Sequence, residues 1–263
     1  MLTFVGLGLY DERSVTLEGR DAIRAADRVF AEFYTSRLAG TTLSELEAAH
    51  DVGIEVRNRE GVEREPAPIL DAAAEGEAAF LTAGDPMVST THVDLRLRAD
   101  DRGLDTRIVH GTSAATAAAG LTGLQNYRFG AATTLPFPET HGGVPDSVRE
   151  RIEANRGEGL HTLVYLDIEA DDAAGAGLED GEYLHAGRAA ALLAEVLGDG
   201  PAVAIARAGS PDPVVDADRL PALADRRFGD PLHLLVVPGD LHPMEADALR
   251  AFGDAPADVL PGP

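Results

Sequence analysis

The chain has 263 residues, 44% of them hydrophobic, enough for two medium-sized α/β domains with real cores and too apolar for a disordered chain. It contains no cysteine, which excludes disulfides, thiolate metal sites and a cysteine nucleophile. Acidic residues number 45 against 22 basic ones, a formal net charge of −23, the reverse of the basic stripe that a direct reader of nucleic acid needs. Every basic residue is Arg and none is Lys, and the acid excess runs along the whole chain. Such a coat suits a cytosol at molar salt, where the Debye length shrinks to about 3 Å and self-repulsion is screened. A halophilic archaeal source is therefore expected, with unfolding on dilution into low salt. No apolar run approaches the roughly 20 residues that span a bilayer. Met1–Gly6 lacks the basic start of a signal peptide, so a cytoplasmic location is expected.

The first half alternates strands and helices. Leu2–Val5 is a short apolar strand running into the turn Gly6-Leu7-Gly8. Leu17, Ala22, Ile23 and Ala26 recur at helical spacing, followed by a strand over Val29–Phe33. Thr42-Leu43-Ser44-Glu45 has the form of a capping box and predicts a helix start. A strand near Ile54–Val56, a helix over about 68–75 and a strand over Ala78–Thr82 follow, the last broken by Gly84-Asp85-Pro86. A helix from about Thr90 to Gly103 and a strand over Thr106–Val109 complete a pattern of βαβ units and a mostly parallel sheet.

Beyond residue 111 the pattern loosens. A small-residue helix is expected over Thr112–Leu121, a loop over Pro136–Pro145, and strands over His161–Asp167, Ala202–Ala206 and Leu232–Val237. Helices are expected over Leu184–Leu197 and Pro243–Phe252, with an acidic surface connection at Asp171–Gly181. The fold class is thus α/β in two domains, residues 1–111 with the two glycine loops and residues 112–263 with a mixed sheet.

Three strand-end loops carry the chemistry. Gly6-Leu7-Gly8 lets backbone approach a ligand closely, but the third glycine of a dinucleotide fingerprint is replaced by Asp11. Glu32, where a ribose-binding acid is expected, runs straight into Phe33 and Tyr34. Gly84-Asp85-Pro86 presents an acid at the carboxyl end of a strand, where open α/β sheets place ligands, or else a structural turn. His110-Gly111-Thr112-Ser113-Ala114 opens a helix whose free N–H groups and hydroxyl suit an anion or ribose oxygen, or merely a cap. No phosphate loop, zinc motif or nucleophile elbow is present, and the histidines stand singly, so no metal site is expected.

Taken together these blocks, with Ala31-Glu32-Phe33-Tyr34-Thr35-Ser36, Ala39-Gly40-Thr41-Thr42-Leu43, Thr90-Thr91-His92, Leu121-Thr122-Gly123-Leu124, Gly159-Leu160-His161-Thr162-Leu163, Leu166-Asp167-Ile168, Ala206-Arg207-Ala208-Gly209-Ser210 and Phe228-Gly229-Asp230-Pro231-Leu232-His233, resemble the diphthine synthase family from residue 1 to about residue 253. That family lies in the tetrapyrrole-methylase-like class. The resemblance implies a homodimer of two-domain subunits that binds S-adenosylmethionine in a cleft between the domains. It implies methylation of the 3-amino-3-carboxypropyl histidine of translation elongation factor 2, three times in the archaeal version. The cofactor contacts it implies are Leu9, Asp85, Val88, Ser113, Ala114, Leu166, Ala208 and His233. No catalytic residue is assigned; Asp167, Glu169, His92 and Tyr127 are possible helpers. The chain departs from the family at Ala83, where proline is expected, and at His110-Gly111-Thr112, where His-Ala-Pro is common. Rival readings are a tetrapyrrole (precorrin-type) methyltransferase, an NAD-dependent dehydrogenase and a non-catalytic nucleotide-binding module.

Overall fold

The computed structural model describes residues 1–169 and 181–260. The predicted acidic connection at Asp171–Gly181 lies outside these, save for Gly181. The chain falls into two compact units, Met1–Ala114 with Ile168–Glu182, and Ala115–Asp167 with Tyr183–Pro263. The expected boundary at residue 111 falls close to Ala114, and Ile168–Glu169 and Gly181–Glu182 group with the first unit.

The first unit contains β1 (Leu2–Gly6), α1 (Leu17–Ala25), β2 (Arg28–Glu32), α2 (Leu43–His50), β3 (Ile54–Val56), α3 (Arg59–Glu63), α4 (Ala67–Glu75), β4 (Ala78–Thr82), α5 (Val93–Asp101) and β5 (Thr106–Val109). Its five strands form one parallel sheet in the order β3-β2-β4-β1-β5. Side chains alternate across a strand, so each strand feeds two cores. Phe4, Phe30 and Phe80 pack with Ile69, Leu70 and Leu95 on one face, while Val5, Ala31 and Leu81 pack with Ile23 and Leu46 on the other. Burial on both faces is what an all-parallel sheet requires, and it explains why these strands read as continuous apolar runs. The expected capping box holds α2: the Thr42 hydroxyl accepts from the Glu45 N–H, and the Glu45 carboxylate accepts from the Thr42 N–H.

In chain order there follow α6 (Ala114–Thr122), a 3-10 turn over Asn126–Arg128, β6 (Thr133–Leu135), α7 (Pro138–His141), α8 (Asp146–Gly157), β7 (Thr162–Leu166), β8 (Ile168–Glu169), β9 (Glu182–Tyr183), α9 (Ala186–Leu197), β10 (Pro201–Ala206), β11 (Val214–Arg219), α10 (Leu220–Ala224), β12 (His233–Val237) and α11 (Pro243–Phe252). The second sheet has the order β11-β10-β12-β7-β6, antiparallel except for β6 beside β7, and is therefore mixed. One core gathers Val164, Ala204 and Leu235 from the sheet with Val148 and Ile152 of α8 and Ala190 and Leu193 of α9. The second unit also buries a hydrogen-bonded pair: His161 and Glu245 have no exposed side-chain surface and lie 3.0 Å apart.

Two sequence expectations need correction here. The loop expected over Pro136–Pro145 contains the helical turn α7, begun by Pro138 at a position that tolerates its missing N–H. The helix α8 and the strand β11 were not anticipated at all. Apart from Val148 and Ile152, α8 is almost wholly polar, and the alternation Val-Val-Asp-Ala-Asp-Arg of β11 is too charged to read as buried.

Candidate functional site

In the first unit the loops after β1, β4 and β5 meet at the carboxyl edge of the sheet because those three strands are neighbours. Gly8 donates to the Gly84 carbonyl at 3.1 Å, and Gly84 returns a bond to the Gly8 carbonyl at 2.6 Å. A Cβ built on Gly6 would stand 2.5 Å from the Gly111 nitrogen and 2.6 Å from the Gly84 carbonyl oxygen. A Cβ on Gly111 would collide with that same oxygen. The glycines of the first and third loops thus allow strand-end backbones to touch one another. The departure from the family at Gly111 fits this contact, since an alanine there needs the loops to move apart. Gly84 differs. At φ +78° it occupies the left-handed region, and a Cβ on it would find nothing nearer than the Ser113 Cα at 4.0 Å.

The turn that Gly84 starts holds Asp85 almost fully buried, at 6% exposure. One carboxylate oxygen accepts the Met87 N–H at 2.9 Å, and the other lies 2.7 Å from Nδ1 of the exposed His110. Val88 is exposed, Leu9 and Ala114 are half-buried and Ser113 is buried. This edge therefore offers a buried acid, a hydroxyl-bearing side chain and flanking apolar groups beside the open side of Gly84. These are the groups that a nucleoside with ribose hydroxyls and a cationic tail requires.

The remaining three residues lie at one edge of the second sheet. The register pairs Ala206 with His233 and Leu234 with Tyr165. The end of β7 with Leu166, the start of β12 with His233 and the exit of β10 toward Ala208 are thereby neighbours. Arg207, at φ 51°, anchors this exit: its backbone N–H donates to the Leu232 carbonyl, and its guanidinium donates to the Phe228 and Asp212 carbonyls. The His233 ring is already committed. Its Nδ1 accepts the Ala186 N–H at 3.1 Å, which leaves Nε2 to donate to the Asp230 carbonyl at 3.0 Å. Burial pushes its pKa down to about 4, so the ring is neutral. Neither ring nitrogen of His233 is left to bond a ligand.

Of the possible helpers, His92 is buried and Tyr127 is 79% exposed. Glu169 is exposed, while Asp167 is half-buried and accepts the Phe137 N–H. Glu32 is the residue whose setting was least visible in the sequence. It has no exposed surface, its Oε2 accepts the N–H groups of Tyr34 and Thr35, and its Oε1 accepts the Thr35 hydroxyl at 2.5 Å. A fully buried acid turned inward in this way presents no oxygen to a dinucleotide ribose, which removes the main structural support for a dehydrogenase. No cluster of three or more potential metal ligands occurs among the described residues.

A model of the tetrapyrrole (corrin/porphyrin) methylases matches residues 1–224, and the chain belongs to that class of methyltransferases. Within it the chain is a member of the diphthine synthase family. It is 67% identical to the diphthine synthase of Natronomonas pharaonis, with all of both chains covered. It is 65% identical to that of Halorubrum lacusprofundi, with 99% of each covered. Both organisms are halophiles, in keeping with the acidic, lysine-free composition. Among solved structures it is similar to a crystal structure of diphthine synthase, at a TM-score of 0.88 and 39% identity over 98% of each chain.

Proposed function

We propose that this chain uses S-adenosylmethionine to trimethylate the amino group of the 3-amino-3-carboxypropyl histidine of translation elongation factor 2, giving diphthine. The observation that carries the substrate is the likeness over the entire chain to proteins named diphthine synthase. When bound, S-adenosylmethionine supplies a methyl carbon already activated on a positively charged sulfur, which the acceptor amine takes with loss of one proton per transfer. Little covalent help is needed, so positioning carries most of the rate, for which well-oriented reactants gain roughly 7–11 kcal/mol.

The residues that hold the cofactor are read as Leu9, Asp85, Val88, Ser113 and Ala114 on the first unit and Leu166, Ala208 and His233 on the second. Asp85 balances positive charge or binds a ribose hydroxyl through its His110-side oxygen. Ser113 contributes a hydroxyl, and Leu9, Val88, Leu166 and Ala208 contribute apolar walls. Desolvation of the acceptor amine lowers its pKa and removes the need for a dedicated general base. We further read the protein as a cytoplasmic homodimer that does not bind nucleic acid directly; sedimentation in molar salt tests the oligomeric state. No helix among the described residues is long and apolar enough to cross a membrane.

The test is methyl transfer in molar potassium chloride to elongation factor 2 carrying the unmethylated histidine derivative, followed by mass spectrometry. The expected gain is three methyl groups, and Asp85→Ala should weaken donor binding by about 10–100-fold, the worth of a charge-assisted hydrogen bond. A folded wild-type protein that transfers nothing to this substrate removes the reading.

A further inference from the structure

Behind the Asp85 turn lies a buried pair that the reading above does not use. His92 and Glu32 have no exposed side-chain surface, and His92 Nε2 lies 3.6 Å from Glu32 Oε1. On its other side the same ring faces the turn: Nδ1 is 3.1 Å from the Pro86 carbonyl oxygen and 3.4 Å from the Thr82 hydroxyl. The Thr90 hydroxyl donates to that Pro86 carbonyl as well, at 2.7 Å. His92 Nε2 has no hydrogen-bond partner of its own.

An imidazole held between two acceptors poses a problem of proton count. The Pro86 carbonyl can only accept, so it needs a proton on Nδ1. An ionised Glu32 also only accepts, so it needs a proton on Nε2. A neutral ring has one proton and cannot serve both. A proton on Glu32 resolves the conflict: the neutral carboxyl no longer draws an N–H onto Nε2, and Nδ1–H stays on Pro86. Without it, the carboxylate favours the Nε2–H tautomer, which turns a lone pair of Nδ1 toward the Pro86 carbonyl and loosens the turn.

We propose that Glu32 holds one buried proton beside His92 and that His92, through Pro86, is thereby a positioning residue for Asp85 in cofactor binding. The environment favours holding that proton near neutrality. Burial raises the Glu32 carboxyl to about 7 despite the Thr35 and Tyr34 donors, and burial lowers the His92 ring despite the Pro86 bond. The other charged or titratable groups facing the pair are Arg59 and Glu63 of α3 and Tyr34, whose phenol burial pushes upward out of range. Arg59 and Glu63 lie 3.6 Å apart and largely offset one another.

The inference rests on the assignment of Asp85 to the cofactor, and the test separates the two. S-adenosylhomocysteine binding is measured by calorimetry in molar potassium chloride between pH 6 and 8.5, on wild type, Glu32→Gln, His92→Asn and Asp85→Ala. The apparent Kd of the wild type should rise about tenfold across that range as the competent fraction falls. Glu32→Gln should be flat, since its amide is neutral at every pH and never draws a proton onto Nε2. His92→Asn, which keeps a donor where Nδ1 stood, should also be flat and within about threefold of the wild type at pH 6. Nitrogen-15 spectra of the His92 ring should show Nδ1 protonated below the transition and a tautomer change above it. A wild type with no pH dependence, or a Glu32→Gln curve parallel to it, overturns the buried proton while weak binding by Asp85→Ala leaves the site reading intact. Unimpaired binding by Asp85→Ala overturns the site and the positioning role with it.

Discussion

Each unit of the molecule buries one glutamate against one histidine, and the two pairs behave oppositely. In the second unit Glu245 and His161 are fully wired. Glu245 Oε1 accepts the Gln125 N–H and the His161 ring at 2.9 and 3.0 Å, Oε2 accepts the His242 N–H at 2.8 Å, and Arg128 stands 3.7 Å away. The far nitrogen of His161 accepts the Gly239 N–H, so its tautomer is fixed. Burial pushes the Glu245 carboxyl up, but these donors outweigh it and hold its pKa below the usual carboxylate value. In the first unit the approach is 3.6 Å, Nε2 has no hydrogen bond, and the Glu32 carboxyl is raised to about 7. Three donors converge on each carboxylate, so donors alone do not decide its protonation; Glu32 lies deeper, and there burial outweighs them. Glu245 sits in the first turn of α11, where free N–H groups and the helix dipole converge on it. Glu32 ends a strand and takes its donors from two residues of its own loop. The wired pair fastens the fold, and the unwired pair is free to titrate.

The largest expected effect breaks the wired pair. Glu245→Ala leaves the N–H groups of Gln125 and His242 and the His161 ring without an acceptor inside the core. His161 is neutral, so no charge is stranded, but each buried donor left bare costs about 1–3 kcal/mol, and the three together several. Denaturant unfolding in molar salt should report a loss of that size; a loss near 1 kcal/mol would mean that water enters and the pair is not what fastens α11. The next effect concerns Glu32, and its sign is the informative part. Its folded-state pKa of about 7 lies above the ordinary value of 4.5, so the folded protein holds a proton that the unfolded chain releases. The associated stability is fully present below 4.5 and is lost as pH rises through about 7. A shift of this size corresponds to at most about 3 kcal/mol. Glu32→Gln should abolish that loss, so its stability relative to wild type improves between pH 4.5 and 8. Parallel stability curves for the two proteins would show that Glu32 is ionised throughout and that the two pairs are alike after all.

Neither buried pair is legible in the sequence, and what is legible beside them says how far the sequence reaches. The strands of the first unit announce themselves because both faces of a parallel sheet are buried: Leu2–Val5 and Ala78–Thr82 have no polar face to obscure them. The capping box at Thr42 is local and equally plain. The second unit hides more, since Val148 and Ile152 are the only large apolar residues that α8 turns inward. The glycines illustrate a different limit. A close approach at Gly6 is legible, but that the approaching atoms belong to Gly84 and Gly111, more than 70 residues away, is a tertiary fact. The residues proposed for the cofactor come from the resemblance. Neighbouring strands explain why they are gathered, and only Asp85 and Ser113 have chemistry of their own to suggest them. His233 shows the converse, since its ring is consumed by Ala186 and Asp230, partners that no spacing reveals. The Glu32 and His92 side chains are 60 residues apart in the chain, and their conflict over one proton exists only once β2 and β4 are neighbours.

The smallest expected effect supplies the scale for the others. Arg98 and Asp94 form a close pair on the surface of α5, 2.7 Å apart at helical spacing, with side chains 43% and 55% exposed. By geometry alone this contact is shorter than either buried pair. Yet both groups keep their water, and in molar salt the Debye length is about 3 Å, so the attraction is screened almost at contact. Such a pair is worth about 0.3–0.5 kcal/mol even at ordinary ionic strength. Asp94→Ala should therefore leave the unfolding midpoint in molar potassium chloride nearly where it was. A measured loss above about 1 kcal/mol would mean that exposed Arg–carboxylate pairs hold this acidic chain together in brine. The stability carried by Glu245 would then have to be judged against the whole surface rather than against Glu32 alone.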